Sequence, residues 1–135
     1  MNAAAPKQSF DKDRRGAAAI EFAIVAPVLF AMLFGVFEIG RLMYEQSKAA
    51  AAASAGARAA AIYGANDDDS IEAAIEARYS AADIDKLEVT ISDETFGAQA
   101  FRRIDVVYDF DFLIRFSDAW SGVTITETRY APDFS

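Results

Sequence analysis

The sequence contains no cysteine and no histidine among its 135 residues. The absence of cysteine excludes a disulfide framework and thiol chemistry, and it leaves oxidising and reducing compartments equally open. The absence of histidine removes the commonest general base and the commonest transition-metal ligand. An enzyme would then need a carboxylate pair or a Ser-Lys arrangement, and Ser47 and Lys48 are helix neighbours that point to different faces. We therefore predict a protein that is not an enzyme, with no catalytic residues, cofactor or metal.

Basic residues are also scarce, since 13 Lys and Arg face 21 Asp and Glu and the formal net charge is −8. This balance argues against nucleic acid as a partner, because affinity for phosphates depends on Lys and Arg. The only basic cluster is Lys7, Lys12, Arg14 and Arg15, and it lies directly before a long apolar run. The leader 1–16 is therefore predicted to stay on the cytoplasmic side of a membrane.

Polar residues are almost missing from 17–37, where only Glu21 and Pro27 interrupt the apolar run. A membrane-spanning helix needs roughly 20 apolar residues. A signal-peptide core has only about 7–15. We interpret 17–37 as a retained transmembrane helix, which places the rest of the chain on the outer side.

The helix is predicted to continue beyond the membrane as an extension, 38–64. Its Ala, Leu, Met, Glu and Lys residues are strong helix formers, and Gly64 gives a stop at about residue 63. Alanines on every face permit close approach of another element but offer little apolar surface. The remaining residues, 65–135, are predicted to form a small outer domain.

The outer domain begins with a second, shorter helix in which Asp69 and Glu72 resemble a capping box. From Leu87 the hydrophobic period changes to two, in "LEVTI", "RRIDVVYDFDFLI" and "GVTITETRY", which indicates half-buried strands. "SDETFGAQA" and "SDAWSG" are interpreted as the turns between them. The predicted fold class is α+β: a long N-terminal helix continuing into a domain with a short helix and a roughly three-stranded antiparallel sheet.

One acid, Glu21, lies in the apolar run, five residues after Gly16 and directly before Phe22. Ionisable groups in membrane segments are costly and are usually paired or functional. The alternative is an acid that is tolerated near a helix end and reaches the interface. The basic pair before Gly16 and the small residues after it favour a functional role.

This pattern resembles the type III signal of prepilin-like proteins. The resemblance implies that a membrane prepilin peptidase cuts between Gly16 and Ala17 and leaves the apolar helix in place. Ala17 then carries a positively charged α-amino group beside lipid. Glu21, about one helical turn away, can neutralise that charge in the same chain or in a neighbouring subunit.

The fuller resemblance is to the TadE-like family, minor pseudopilins of the tight-adherence (Flp) pilus system. It is carried by "RRGAAAIEFAIVAPVLFAMLFGVFEIGR", residues 14–41. It implies assembly with other pilins or pseudopilins in the bacterial inner membrane, with a cytoplasmic N-terminus and a periplasmic outer domain. Phe22 stands where major Flp pilins usually have tyrosine, and they are much shorter, so the minor class fits better. A TadF-type role stays open.

The sequence also allows alternative functions and alternative roles for several residues. The chain could be an unprocessed single-pass protein whose outer domain binds an envelope partner. Pro27 either simply kinks the helix or helps it leave the bilayer. The acids on one strand face form a solvated surface or a Ca²⁺ site with help from Asp93 or Glu94. The acids in question are Asp105, Asp109 and Asp111. The aromatic residues are interpreted as core and rim, with Phe116 and Trp120 as an alternative partner surface.

Overall fold

The structure is a computed structural model that describes residues 11–63, 67–114 and 121–133. It confirms the α+β class. The elements are helix α1 (Asp11–Tyr63), helix α2 (Asp68–Glu76), a 3₁₀ turn (Ile84–Lys86) and strands β1 (Leu87–Phe96), β2 (Gln99–Asp111) and β3 (Gly122–Pro132). The chain forms two compact units, Met1–Phe37 and Glu38–Ser135, which are described separately below.

The first unit contributes the apolar start of α1. From residue 16 to residue 37 every side chain except that of Ala26 is exposed, including Phe22, Leu29 and Val36. Within the described residues, one helix is long and apolar enough to cross a membrane, and its candidate region is Gly16–Ile62. An apolar helix that is exposed on all sides has the surface that contact with lipid requires.

The second unit begins with the remainder of α1, which packs through small residues. Ala49, Ala52, Ala53 and Ala60 are buried at helical spacing, and Gly56 lies among them. A β carbon placed on Gly56 would lie 2.8 Å from Cδ1 of Ile75 in α2. The alanine-rich helix therefore achieves the predicted close approach, and its small side chains bury completely because larger ones lie against them.

Helix α2 begins with a capping bond from Asp67. Its carboxylate accepts hydrogen bonds from the Ser70 backbone nitrogen at 3.2 Å and from Ser70 Oγ at 2.7 Å. The expected capping position, Asp69, is wrong by two residues. Ile71 and Ile75 are completely buried one helical turn apart, so this short helix contributes one narrow apolar face to the core.

The three strands form an antiparallel sheet in the order β1-β2-β3. Tyr108 at the centre of β2 pairs with Leu87 of β1 and with Ile125 of β3. The predicted apolar face of β2 is confirmed. Its buried residues are Ile104, Val106, Tyr108 and Phe110.

The interpretation of 92–100 as a turn is wrong for most of its length. Strand β1 continues to Phe96, which pairs with Gln99, so only Gly97 and Ala98 form the turn. Gly97 has φ of +67°, a conformation that glycine adopts without a steric penalty. The polar residues 92–95 lie in a strand because β2 pairs with each of them. Most of the other predicted turn, 117–122, lies outside the described residues.

Candidate functional site

The residues predicted to direct processing and assembly all lie on the first part of α1. The peptide bond between Gly16 and Ala17 lies within α1, which begins five residues before Gly16 at Asp11. Glu21 follows Ala17 by four residues, which is one helical turn and about 6 Å along the axis. The structure thus places the predicted bond and the predicted acid on adjacent turns of one helix.

Gly16 has no packing role among the described residues. A β carbon added there would meet no atom within 4 Å. Glycine in a helix interior costs about 1 kcal/mol relative to alanine. Gly16 therefore weakens the helix at this point without any compensating contact in the structure.

Glu21 and Phe22 both project into open space. Phe22 is 65% exposed, and Glu21 is exposed as well. Among the described side chains, Glu21 has no hydrogen-bond or ion-pair partner. A carboxylate on an otherwise apolar surface is therefore available to a group from outside the described chain.

Pro27 lies inside α1, and the helix continues through it. Proline has no backbone N–H, so the carbonyl of Ala23 loses its usual helical partner. Two predictions for Pro27 stay open: a simple kink, and a bend that is used in assembly.

A polar cluster in the second unit joins α1 to the outer domain. Lys48 Nζ lies 3.1 Å from Asp83 Oδ2 and 3.3 Å from Glu45 Oε2. The same nitrogen lies 4.5 Å from the centre of the Tyr79 ring, which stacks on Tyr108 at 5.4 Å. The ammonium group thus contacts two carboxylates and an aromatic face, an arrangement that stabilises a partly buried cation.

The charges of this cluster shift the pKa values of its members. Burial lowers the pKa of Lys48, but the hydrogen bond to Asp83 and the charge of Glu45 outweigh it, so the pKa is raised overall. Hydrogen bonds from Ser80 and Lys48 lower the pKa of Asp83. Burial, followed by the nearby negative charges, raises the pKa of Tyr79 and of Tyr108 to about 12 each. At neutral pH the cluster therefore holds an ion pair beside two neutral phenols.

Comparison with known families identifies the N-terminal part of the chain. Residues 16–58 match the family model for TadE-like proteins. This segment is similar to TadE-like proteins. The match covers about a third of the chain and confirms the resemblance seen in the sequence. It includes every residue predicted for the cleavage site, for assembly or for a helix kink. These are Gly16, Ala17, Glu21, Phe22 and Pro27. No curated protein and no solved structure matches the chain.

Similarity to this pilus-associated family, which is not a family of enzymes, suggests involvement in the tight-adherence pilus system. The exposed apolar helix is consistent with a membrane-anchored component of that system. The segment also contains Lys48, which pairs with Asp83, and Gly56, which lies against Ile75 of α2. The matched region thus includes both the apolar helix and the helical face that carries the outer domain.

Beyond the TadE-like segment, Arg102 at the far end of the sheet joins α2 to β1. Its guanidinium is mostly buried and contacts Asp93 at 2.5 Å and also Asp68. Burial lowers the pKa of Arg102, but the two carboxylates outweigh this effect and raise it. Sequence reasoning missed this contact because Arg102 is 34 residues from Asp68, and no local pattern links them.

The acidic face of β2 has partners within the outer domain. Asp105 Oδ1 accepts a hydrogen bond from Thr128 at 2.5 Å, and Asp109 Oδ1 accepts one from Thr124 at 2.8 Å. Asp111 pairs with Lys86 at 2.7 Å. Among the described residues, no three acidic side chains are grouped to hold a metal ion.

An aromatic cluster lies on the outer face of the sheet, at the β1–β2 turn. Phe96 meets Phe101 and Tyr130 edge-on, each at 5.6 Å between ring centres. Phe96 is 54% exposed and Tyr130 45% exposed, so these residues form a rim rather than a core. The other predicted aromatic surface falls on Phe116 and Trp120, which lie outside the described residues, as does Phe134.

Proposed function

We propose that the chain is a minor pseudopilin of the tight-adherence (Flp-type) pilus. In this proposal a prepilin peptidase cuts between Gly16 and Ala17. Residues 17–37 then hold the protein in the bacterial inner membrane, with the N-terminus cytoplasmic and residues 65–135 in the periplasm. Residues 38–64 connect the two parts. The protein acts in pilus assembly together with other pilins or pseudopilins.

The observation that carries this proposal is where the family match begins. The TadE-like match starts at Gly16, the residue that precedes the predicted cut, and includes the acid at position 21. The residues before Gly16 fall outside the match, as expected for a leader that is removed.

The open surroundings of Gly16 support a role in processing. Packing does not explain a glycine at this point, because an added β carbon would meet nothing within 4 Å. A peptidase needs an extended backbone at the bond it cuts, and the bond lies in a helix here. The low helix propensity of glycine reduces the free energy needed to unwind α1 locally.

The isolation of Glu21 supports a role in assembly. Cleavage creates a positive α-amino group one helical turn from this carboxylate. An uncompensated charge in lipid costs several kcal/mol. Pairing of Glu21 with the α-amino group of a neighbouring subunit would favour one axial register between the two helices and disfavour others.

N-terminal sequencing of protein isolated from its native membrane tests the proposal. A sequence that starts at Ala17 is expected, whereas an intact Met1 would contradict processing. Gly16→Leu should block the cut and leave a heavier species on a gel. Gly35→Leu is the matched control, because a β carbon at Gly35 also meets no atom within 4 Å. The control should be processed normally.

A second candidate function is supported by the exposed aromatic cluster of Phe96, Phe101 and Tyr130. An unprocessed, single-pass membrane protein could use this rim to bind an envelope partner. Retention of Met1, together with loss of partner binding in Phe96→Ser, would favour this second function over the first.

A further inference from the structure

Strand β2 runs antiparallel to α1 within the second unit. A β carbon on Gly56 would lie 3.5 Å from Ile104, and the Arg41 guanidinium lies 4.9 Å from the centre of the Phe110 ring. Glu38 then contacts the backbone of Leu113. From 56 to 38 the helix covers about 27 Å. From 104 to 113 the extended chain covers about 30 Å. The helix and the extended chain therefore cover similar distances, so Leu113 lies level with Glu38.

Glu38 fixes the chain that leaves β2. Its Oε1 accepts a hydrogen bond from the Leu113 backbone nitrogen at 2.8 Å, while Oε2 pairs with Arg41 at 2.8 Å. The Glu38 side chain is only 13% exposed. The preceding residue, Phe112, is held by a backbone hydrogen bond, which its nitrogen donates to the Ser121 carbonyl at 3.0 Å. Leu113 is thus held at a defined height beside Glu38.

The side chain of Leu113 nevertheless has no cover among the described residues. It is 66% exposed, although the backbone of the same residue is fixed by Glu38. An exposed leucine on a tethered backbone keeps its apolar surface in water unless something outside the second unit covers it.

The position of Glu38 in the chain indicates what surrounds the Leu113 side chain. Glu38 directly follows the segment 17–37, which the proposed function places in the bilayer. Each headgroup layer adds about 5–7 Å to the hydrocarbon core. Helical side chains also lean toward the N-terminus of their helix, which for Glu38 is the direction of the membrane. With 17–37 in the bilayer, a backbone that is hydrogen-bonded to the Glu38 carboxylate would lie in the headgroup layer.

We propose that Leu113 inserts into the lipid interface of the membrane that the apolar helix spans. It would give the outer domain a contact with lipid that is separate from the helix itself. The inference rests on the proposed membrane insertion of 17–37, but not on cleavage at Gly16 or on pilus assembly.

The absence of cysteine allows a direct test by single-site labelling. The full chain carrying Leu113→Cys, with a nitroxide spin label, is reconstituted alone into phospholipid vesicles. Collision rates are measured with oxygen, which concentrates in lipid, and with a water-soluble nickel chelate. The label at 113 should collide several-fold more with oxygen and several-fold less with nickel than a label at Phe96→Cys. Phe96 is the matched control, since it is 54% exposed and lies at the other end of the sheet, about 45 Å away along β2.

A third label separates this inference from the proposed function. Leu29→Cys, in the apolar segment, should show deep burial in lipid. If Leu29→Cys is buried but the label at 113 is as accessible to nickel as the label at 96, the interface contact is wrong and membrane insertion stands. Low nickel accessibility at 113 without a rise in oxygen accessibility means that protein covers it, which also overturns the proposal. Exposure of all three labels to nickel would overturn membrane insertion as well.

Discussion

Gly56 of α1 lies so close to Ile75 of α2 that a β carbon on the glycine would be 2.8 Å from both Cγ1 and Cδ1 of the isoleucine. Real side chains do not approach so closely, so any larger residue at position 56 must displace Ile75. Ile75 is completely buried and has little room to move. This contact sets the separation between the two helices.

Gly56→Ala should therefore destabilise the outer domain although alanine is the better helix former. Overpacking costs about 1–3 kcal/mol, and the gain in helix propensity offsets up to about 1 kcal/mol of it. A fall of about 1–2 kcal/mol in the free energy of unfolding is expected, measured by denaturant titration with circular dichroism. Gly40→Ala is the control, because a β carbon there meets no atom within 4 Å and the substitution should stabilise the helix. Equal effects at the two glycines would contradict the close approach.

Lys48 should contribute more to stability than an exposed lysine that makes a similar ion pair. Its side chain is 16% exposed and lies between Glu45 and Asp83, so Lys48→Met leaves two carboxylates without their cation. Hydrogen bonds to charged groups contribute about 1.5–3 kcal/mol, and a loss in this range is expected. Lys86→Met removes a pair in which both partners are exposed, and should cost less than about 1 kcal/mol. The two unfolding curves, measured at the same pH and salt concentration, decide the comparison.

The alternating pattern of β2 predicted its buried face correctly. Apolar residues occur at every second position from Ile104 to Phe110, and this face of the strand packs into the core. The same reasoning failed for 92–95, where polar residues read as a turn and only their pairing with β2 makes them a strand. The cap of α2 could not be chosen from three consecutive aspartates, since the position of Ser70 relative to Asp67 decides it. Nor could the sequence distinguish Gly56 from its alanine neighbours, because the constraint comes from Ile75, 19 positions later in the chain.

The two stacked tyrosines should make the outer domain sensitive to alkaline pH. Tyr79 and Tyr108 have pKa values raised to about 12, chiefly by burial, against about 10 in an unfolded chain. Because the folded pKa is the higher one, the neutral phenols contribute full stability below pH 10. This contribution is lost as pH rises from about 10 to 12. Tyrosinate absorbance should show two groups that ionise late and together with unfolding. Complete ionisation of a still-folded protein near pH 10 would refute this expectation.

The hydroxyl of Tyr79 should be dispensable at neutral pH. It is buried and has no hydrogen-bond partner among the described residues, whereas the Tyr108 hydroxyl donates to Asp83 Oδ1 at 3.4 Å. A buried polar group without a partner costs about 1–3 kcal/mol. Tyr79→Phe keeps the stacked ring and should maintain or raise the free energy of unfolding. Tyr108→Phe should lower it slightly. A loss in Tyr79→Phe as large as that in Tyr108→Phe would show that the Tyr79 hydroxyl has a partner.

The charge of Glu21 should matter for assembly and not for cleavage. Glu21→Gln keeps the size and polarity of the side chain but cannot neutralise the α-amino group of Ala17, so processing should continue while recovery with other pilus subunits falls. Glu21→Asp keeps the charge on a shorter side chain and should retain part of that recovery. Glu88→Gln removes one negative charge from the exposed sheet surface and serves as the control. Co-purification from native membranes, scored together with N-terminal sequencing, separates the two steps. If Glu21→Gln assembled as well as Glu88→Gln, neutralisation of the new N-terminus would not explain the acid, and an interfacial position for Glu21 would be the better account.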